Sequence, residues 1–320
     1  MSNVKITIIG VGAIGTSLGL ALKQTDDPPR LIAHDKDPLH TRQALKMGAF
    51  DKSEWNLINA VDNADLIVLA LPADAVRPTL EAIAADLKPD AVLTDTLSTK
   101  ADILQMATEL LPPTVHFVGG HPIVLPGGSG PEHASADLFK NALYCLTPAP
   151  NVAPEAVQLV DNFVSLVGGT PFYLDPLEHD GLVSTVNDLP LLLSVALAHN
   201  ASQSPTWKET RKLAGNTFAQ MTAGAAMDAT ALAAMMRANR VNLARRIESI
   251  IGTLKQAQSL LENDDPAGFE SFVEKAITAR AAWLADFEGN KLSTLYEKPI
   301  ETVKKENMFA QLLQFGRRRK

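Results

Sequence analysis

Two stretches of this chain combine residue types and spacings that can do chemistry. The first reads Lys5-Ile-Thr-Ile-Ile-Gly10-Val-Gly-Ala-Ile-Gly15, a β-branched apolar run that ends in glycines at G-x-G-x-x-G spacing and passes into an Ala/Leu-rich helical pattern. In such a run Gly10 permits a tight turn, Gly12 lets the backbone approach a pyrophosphate, and Gly15 lets the helix pack on the strand. The helix start at Ala13 and Ile14 then offers N–H groups and a positive dipole end to an anion. Asp35 lies twenty residues beyond Gly15, after a second apolar run, Arg30–His34. A carboxylate there can accept hydrogen bonds from an adenosine ribose. The glycines alone also suit an ordinary turn; strand, helix and acid together predict a dinucleotide site. Asp35 repels a 2′-phosphate, so NAD is favoured over NADP, and Lys36 or His34 can soften that preference.

The second stretch is Gly119-Gly-His-Pro122, which closes an apolar run. His121 titrates near neutrality and can take a proton from an alcohol as hydride leaves its carbon. Two glycines before it leave room for a ligand, and Pro122 stiffens a following turn; a structural histidine is the competing reading. Two more runs end in small or polar residues, Leu69-Ala-Leu-Pro72 and Asp95-Thr-Leu-Ser-Thr-Lys100. In an open α/β sheet ligands sit beyond the carboxyl ends of the strands, so Leu71 and Pro72 are expected beside the cofactor. Ser98 either orients the same hydroxyl or caps the next helix. Lys100 binds an anion or is a surface charge, and Gly127-Gly-Ser-Gly130 is a flexible loop or an anion cradle. No H-E-x-x-H or C-x-x-C spacing occurs, so no metal is expected.

The elements that must position these residues alternate through the first half. Apolar runs at Val4–Ile9, Leu31–His34, Asp65–Leu71, Ala91–Thr94, Val115–Val118 and Ala142–Leu146 are separated by helical patterns, and Thr170–Leu174 adds an edge strand. That order predicts a doubly wound, mostly parallel sheet of the Rossmann type over residues 1–176. From Leu177 the β-α alternation stops. Helical patterns at Leu182–His199, Ser204–Thr222, Asp228–Leu261 and Pro266–Asn290 predict an all-helical domain over residues 177–290, with the boundary near Asp175-Pro176. The stripe Leu232, Met235, Met236, Leu243, Ile247, Ile250, Ile251, Leu254 suits core or a subunit interface. Residues 291–320 read as a tail, with a tether at Glu297–Lys305 and a last amphipathic helix at Met308–Phe315.

Composition narrows the classes. With 320 residues and 46% hydrophobic content, two domains and a sizeable core are expected. The net charge of −7 argues against nucleic-acid binding, and the Arg317-Arg-Arg-Lys320 tail is too short to change that. One cysteine, Cys145, excludes an intramolecular disulfide and suits a reducing compartment. No signal peptide precedes the first strand, and no apolar run is read as approaching the roughly 18 residues of a membrane span. A cytoplasmic protein acting on a small molecule, with no nucleic-acid or membrane partner, is the expectation.

Over roughly residues 4 to 290 the sequence resembles the prephenate and arogenate dehydrogenases of tyrosine biosynthesis. The resemblance rests on Gly10–Gly15 and Asp35, on Asp95-Thr-Leu-Ser98-Thr-Lys100 (similar to D-x-G-S-x-K), and on Phe117-Val-Gly-Gly-His-Pro122. Ser129-Gly130, Asp137-Leu-Phe-Lys-Asn-Ala142, Leu146-Thr-Pro148 and Glu178-His-Asp180 follow in the same order. It implies a Rossmann domain followed by a helical dimerisation domain, hence a homodimer. It also implies oxidative decarboxylation: hydride passes from a cyclohexadienol carbon to the nicotinamide while the ring carboxylate leaves as carbon dioxide, driven by aromatisation. His121 matches the catalytic histidine, and Ser98 the serine that orients the hydroxyl and the nicotinamide; Ser129 is carried with the substrate side.

The substrate pocket departs from that pattern. Asn187-Asp-Leu-Pro-Leu191 stands for S-H-L-P-H, Phe218-Ala-Gln-Met-Thr-Ala223 for F-R-D-x-T-R, and Gly127 for an acid. An arginine able to pair with a substrate carboxylate is thus absent from its usual place. Arg237, Arg240 or Lys212 serves instead, or the substrate differs. Asp188 can meet the side-chain amine of arogenate. A dehydrogenase of another hydroxy acid, or a non-catalytic NAD-binding protein, are the alternatives.

Overall fold

Continuous apolar runs are what strands need when both faces of a sheet are covered, and the computed structural model builds its sheet from them. It describes residues 4–124, 126–149 and 151–288; the tether, last helix and basic tail expected beyond these lie outside the described residues. Eight strands form one sheet: β1 (Lys5–Ile9), β2 (Arg30–His34), β3 (Lys52–Ser53), β4 (Leu66–Leu69), β5 (Val92–Asp95), β6 (His116–Pro122), β7 (Leu143–Pro148) and β8 (Thr170–Tyr173). Their order is β3-β2-β1-β4-β5-β6-β7-β8. Every neighbouring pair is parallel except β6 and β7. The order reverses at β1, which lies between β2 and β4, so the glycine turn after β1 sits at the switch point where such sheets bind ligands.

Alternation puts Ile8, Leu66 and Val68 on one face with Leu18 and Leu22 of α1 (Ala13–Lys23). Ile9, Ile67 and Leu69 face the other way, against Val76 and Leu80 on the helix Ala73–Ile83 and Ile103 on the helix Ala101–Leu110. The two-residue β3 was not foreseen, because so short a strand has no period to read. Gly119–Pro122 departs from expectation as well. It is strand rather than turn, since His121 pairs across to Cys145 and Pro122 to Tyr144 on β7.

The chain forms two compact units, one up to His179 and one beginning at Asp180. The first therefore runs past Asp175-Pro176 into the first turn of the helix Pro176–Val183. Asp175 caps that turn: its Oδ1 accepts from Leu177 N at 2.8 Å and Glu178 N at 3.2 Å, and its carbonyl accepts from His179 N at 2.8 Å. In the second unit the expected helix over 228–261 divides at Asn239 into Ala229–Ala238 and Arg240–Glu262, and the pattern over 204–222 yields only Trp207–Thr210 and Asn216–Met221. One expectation is overturned. Pro176–Ser202 is a continuous 27-residue helix of mean hydropathy 1.5, long and apolar enough by length and composition to cross a membrane. The polar group Glu178-His-Asp180 and Asp188 interrupt the apolar run in the sequence, but the helix continues through both, with a five-residue π-turn at Ser184–Asp188. Replacing Asp175 with Ala removes the cap and is expected to lower stability by about 1 kcal/mol in urea titration.

Candidate active site

Beyond β1, Gly10 has φ +91°, and a Cβ there collides with the carbonyl of Ala70; a Cβ on Gly15 collides with the carbonyl of Gly10. Turn and helix packing thus need both glycines. Leu71 reaches the same turn, 3.1 Å from a Cβ built on Gly10, with Pro72 next to it at the start of the following helix. Asp35 is fixed by Val11 N on Oδ2 and Asp37 N on Oδ1, both at 2.8 Å, so its carboxylate stands beside the glycine turn. His34 does not soften that charge. Its Nδ1 is bonded to the carbonyl of Glu54 at 2.8 Å, whereas His40 lies 3.7 Å from Asp35.

Ser129 is placed on this cofactor side. Its carbonyl accepts from Ala13 N at 2.9 Å and lies 2.6 Å from a Cβ built on Gly12. The Gly127–Gly130 segment therefore packs on the glycine turn, and the Ala13 N–H expected to face a phosphate has a protein acceptor. Gly12 and Ile14 keep N–H groups without a protein acceptor among the described residues. The helix-start donors of Gly12 and Ile14 and the fixed carboxylate of Asp35 fit a dinucleotide and are the groups that could hold it. The space left by the missing Cβ of Gly12 is taken by the Ser129 carbonyl and not by a pyrophosphate.

The second cluster grows from Asp95, the last residue of β5 and fully buried. Its Oδ2 accepts from Leu97 N at 2.9 Å, its Oδ1 accepts from Gly120 N at 2.9 Å, and Lys100 Nζ pairs with Oδ2. Lys100 Nζ also donates to the carbonyl of Gly120 at 2.6 Å. Lys100 is thus neither a surface charge nor an anion site: it is fully buried. One carboxylate with its lysine fixes the residues directly before Ser98 and before His121. The glycines preceding His121 leave no room for a ligand. A Cβ on Gly119 meets the Thr147 hydroxyl, and one on Gly120 lies 2.5 Å from the Asp95 carbonyl and 3.0 Å from the Tyr144 ring.

His121 is partly exposed at the end of β6. Burial above all, then the charge of Lys100 and the neighbouring His179, hold its pKa well below the ordinary histidine value. Burial raises the Asp95 carboxyl against the opposing pull of Lys100. His121 Nδ1 lies 3.0 Å from Nε2 of His179, with the rings edge to face at 80°. Ser98 is half-buried and does not cap the next helix, whose N-cap is Lys100 without a side-chain bond. His179 and the organising role of Asp95 were missed in the sequence. Glu178-His-Asp180 was visible, but its ring reaches a partner 58 residues away.

The second unit holds the remaining candidates. Asp188 is fully buried, accepting from Asn239 Nδ2 at 2.7 Å and Asn187 Nδ2 at 3.0 Å. A carboxylate so engaged braces the turn between helices, which removes the ground for reading it as an amine receptor. Arg237, Arg240 and Lys212 are exposed; Arg246 is half-buried and reaches Ser184 Oγ and the Gly181 carbonyl at 3.4 and 3.3 Å. No metal-holding cluster occurs among the described residues.

Residues 18–173 match the family model described as prephenate dehydrogenase, nucleotide-binding domain, and residues 175–275 match its dimerization domain. The prephenate dehydrogenase of Lactococcus lactis is 30% identical over 284 residues, 87% of this chain and 77% of that protein. The chain belongs to the prephenate dehydrogenase family. Arogenate dehydrogenase of Synechocystis superposes with a TM-score of 0.75 at 25% identity, over 87% of this chain and 99% of that one. Prephenate dehydrogenase from A. aeolicus, solved with hydroxyphenyl propionate and NAD+, superposes at 0.82 with 23% identity over 88% and 99%, which shows the shared fold. Family members are NAD-dependent oxidoreductases acting on a ring carbinol. The glycine turn precedes the matched residues, so its part in the family site rests on the geometry above.

The Asp95–Lys100 pair gives a direct test. Lys100→Met leaves a buried carboxylate unpaired and is expected to cost about 3–5 kcal/mol in thermal or denaturant unfolding. Adding Asp95→Asn is expected to restore part of that loss, so the double variant is more stable than the sum of the single changes.

Proposed function

We propose that this chain is an NAD-dependent dehydrogenase that oxidatively decarboxylates prephenate, with His121 as the base and Ser98 orienting the reacting hydroxyl. The observation that carries the reading is the Asp95 carboxylate, which ties Leu97 and Gly120 and so sets the residues bearing both groups. The glycine turn and Asp35 would hold NAD, which when bound would supply the hydride acceptor. His121 takes the hydroxyl proton on Nε2, because Nδ1 is engaged with His179. A histidine held below its usual pKa is neutral near pH 7 and ready to accept that proton. Arogenate is the second candidate substrate, and the burial of Asp188 removes the amine contact that would have favoured it.

For the substrate carboxylates we propose Arg240, exposed at the start of Arg240–Glu262; Arg246 is already bonded to Gly181 and Ser184. The protein acts as a homodimer through the second unit. Leu182, Val186, Leu254, Ile277, Trp283 and Phe287 are 50–76% exposed there, and apolar surface on that scale marks an interface. Pro176–Ser202 is read as a helix that a second subunit covers. A cytoplasmic location goes with one buried, unpaired cysteine.

Purified protein is expected to reduce NAD with prephenate faster than with arogenate. His121→Asn is expected to lower kcat by about 10²–10⁴ while NAD affinity holds; normal turnover in that variant would overturn the assignment. Because activity needs neutral His121, the acid limb of kcat/KM is expected below the ordinary histidine range, with activity lost as pH falls through it. Arg240→Ala is expected to raise KM for prephenate with little change in kcat, and solution scattering to give twice the chain mass.

A further inference from the structure

The family reading gives His121 a task and leaves unexplained why a second histidine is buried against it. His179 has no exposed surface, and its Nε2 lies 3.0 Å from His121 Nδ1. It is presented from the first turn of the helix Pro176–Val183, where the carbonyl of Asp175 accepts its backbone N–H at 2.8 Å. Two ring nitrogens at that distance share one proton, so one ring donates and the other accepts. If His179 donated, His121 would accept on Nδ1 and, when neutral, carry its proton on Nε2. It would then meet an alcohol as a donor and could not serve as a base. If His121 donates, its Nε2 lone pair is free for the substrate proton.

We infer that His179 is a positioning residue whose Nε2 accepts the Nδ1–H of His121 and so holds His121 in its base-competent tautomer. This rests on the reading of His121 as the base. The hydroxyl proton goes to His121 Nε2, the Nδ1 proton stays shared with His179, and neither histidine changes its bonding to carbon. The charged and titratable groups around the pair are Lys100 and Asp95 below Gly120, with Tyr144 and Cys145 on β7. Burial pushes the Cys145 thiol up to about 12, so it stays neutral beside the pair. The His121 backbone is fixed by the Asp95–Lys100 clamp and its ring by His179, which divides the positioning between two devices.

The experiment uses the full chain with NAD and prephenate. Nitrogen-15 NMR of the wild-type imidazoles is expected to find His121 protonated on Nδ1. His179→Leu is expected to lower kcat about 100-fold, to leave KM and NAD binding essentially unchanged, and to move the His121 proton toward Nε2. His179→Gln, whose amide oxygen can accept the same bond, is expected to recover most of the rate and the wild-type tautomer. A wild-type His121 protonated on Nε2, or a His179→Leu protein with undiminished kcat, overturns the proposal. Should His179→Leu fail to fold, the wild-type tautomer and His179→Gln decide it. His121→Asn separates the two readings: an active His121→Asn protein defeats the base itself, whereas a dead one beside an active His179→Leu protein defeats only the role of His179.

Discussion

The site depends on a carboxylate that never meets a ligand. Asp95 lies fully buried at the end of β5, bonded to the N–H groups of Leu97 and Gly120 and paired with Lys100. A buried ion pair contributes little net stability compared with apolar residues of the same volume, so its value here is geometric. Asp95 takes the N–H of Gly120 and Lys100 takes its carbonyl, so the strand segment that leads into His121 is held on both sides. The same lysine charge then helps keep the His121 ring neutral. Backbone position follows from this pair, and the lysine adds to the burial that keeps the ring neutral.

How much of this was legible depends on the range of the interaction. The sheet was, because strands buried on both faces must be apolar along their length, and β1, β2, β4, β5, β7 and β8 all fall on runs of that kind. The glycine turn and Asp35 were, because steric demands on Gly10 and Gly15 act within a few residues. His121 and Ser98 could be picked by residue type and by their place at the end of an apolar run. Lys100 was misjudged because an isolated lysine is almost always exposed, and its partners, Asp95 and the Gly120 carbonyl, come together only when β5 and β6 pair. His179 was passed over for the same reason. Gly119-Gly-His-Pro122 read as a turn because glycine and proline usually end strands, whereas pairing with β7 extends β6 through them.

The helical unit was harder to read because its polar residues pair with one another at long range. Asn239, at the junction of two helices, donates to Asp188 Oδ2 and to the Asp180 carbonyl, so an amide stitches together segments more than fifty residues apart. In sequence Asp188 is a stray charge where the family pattern has histidine. In the fold it is a hydrogen-bond acceptor that ends one helical segment and starts the next at the π-turn. That substitution is a change in how the helix is braced.

The depressed basicity of His121 has a mechanistic side. A weak base accepts a proton reluctantly at equilibrium, and the best general base has a pKa near the working pH. Burial and Lys100 push His121 away from that optimum. The arrangement is coherent if proton removal is not the uphill part of the reaction. Loss of carbon dioxide from a cyclohexadienol creates an aromatic ring, and that gain can pull the hydroxyl proton off as hydride departs. What the site must then ensure is that His121 is never protonated beforehand, and that the lone pair stays on the ring nitrogen facing the hydroxyl. On the proposed reading, burial and then the charge of Lys100 serve the first requirement, and the proposed hydrogen bond to His179 serves the second.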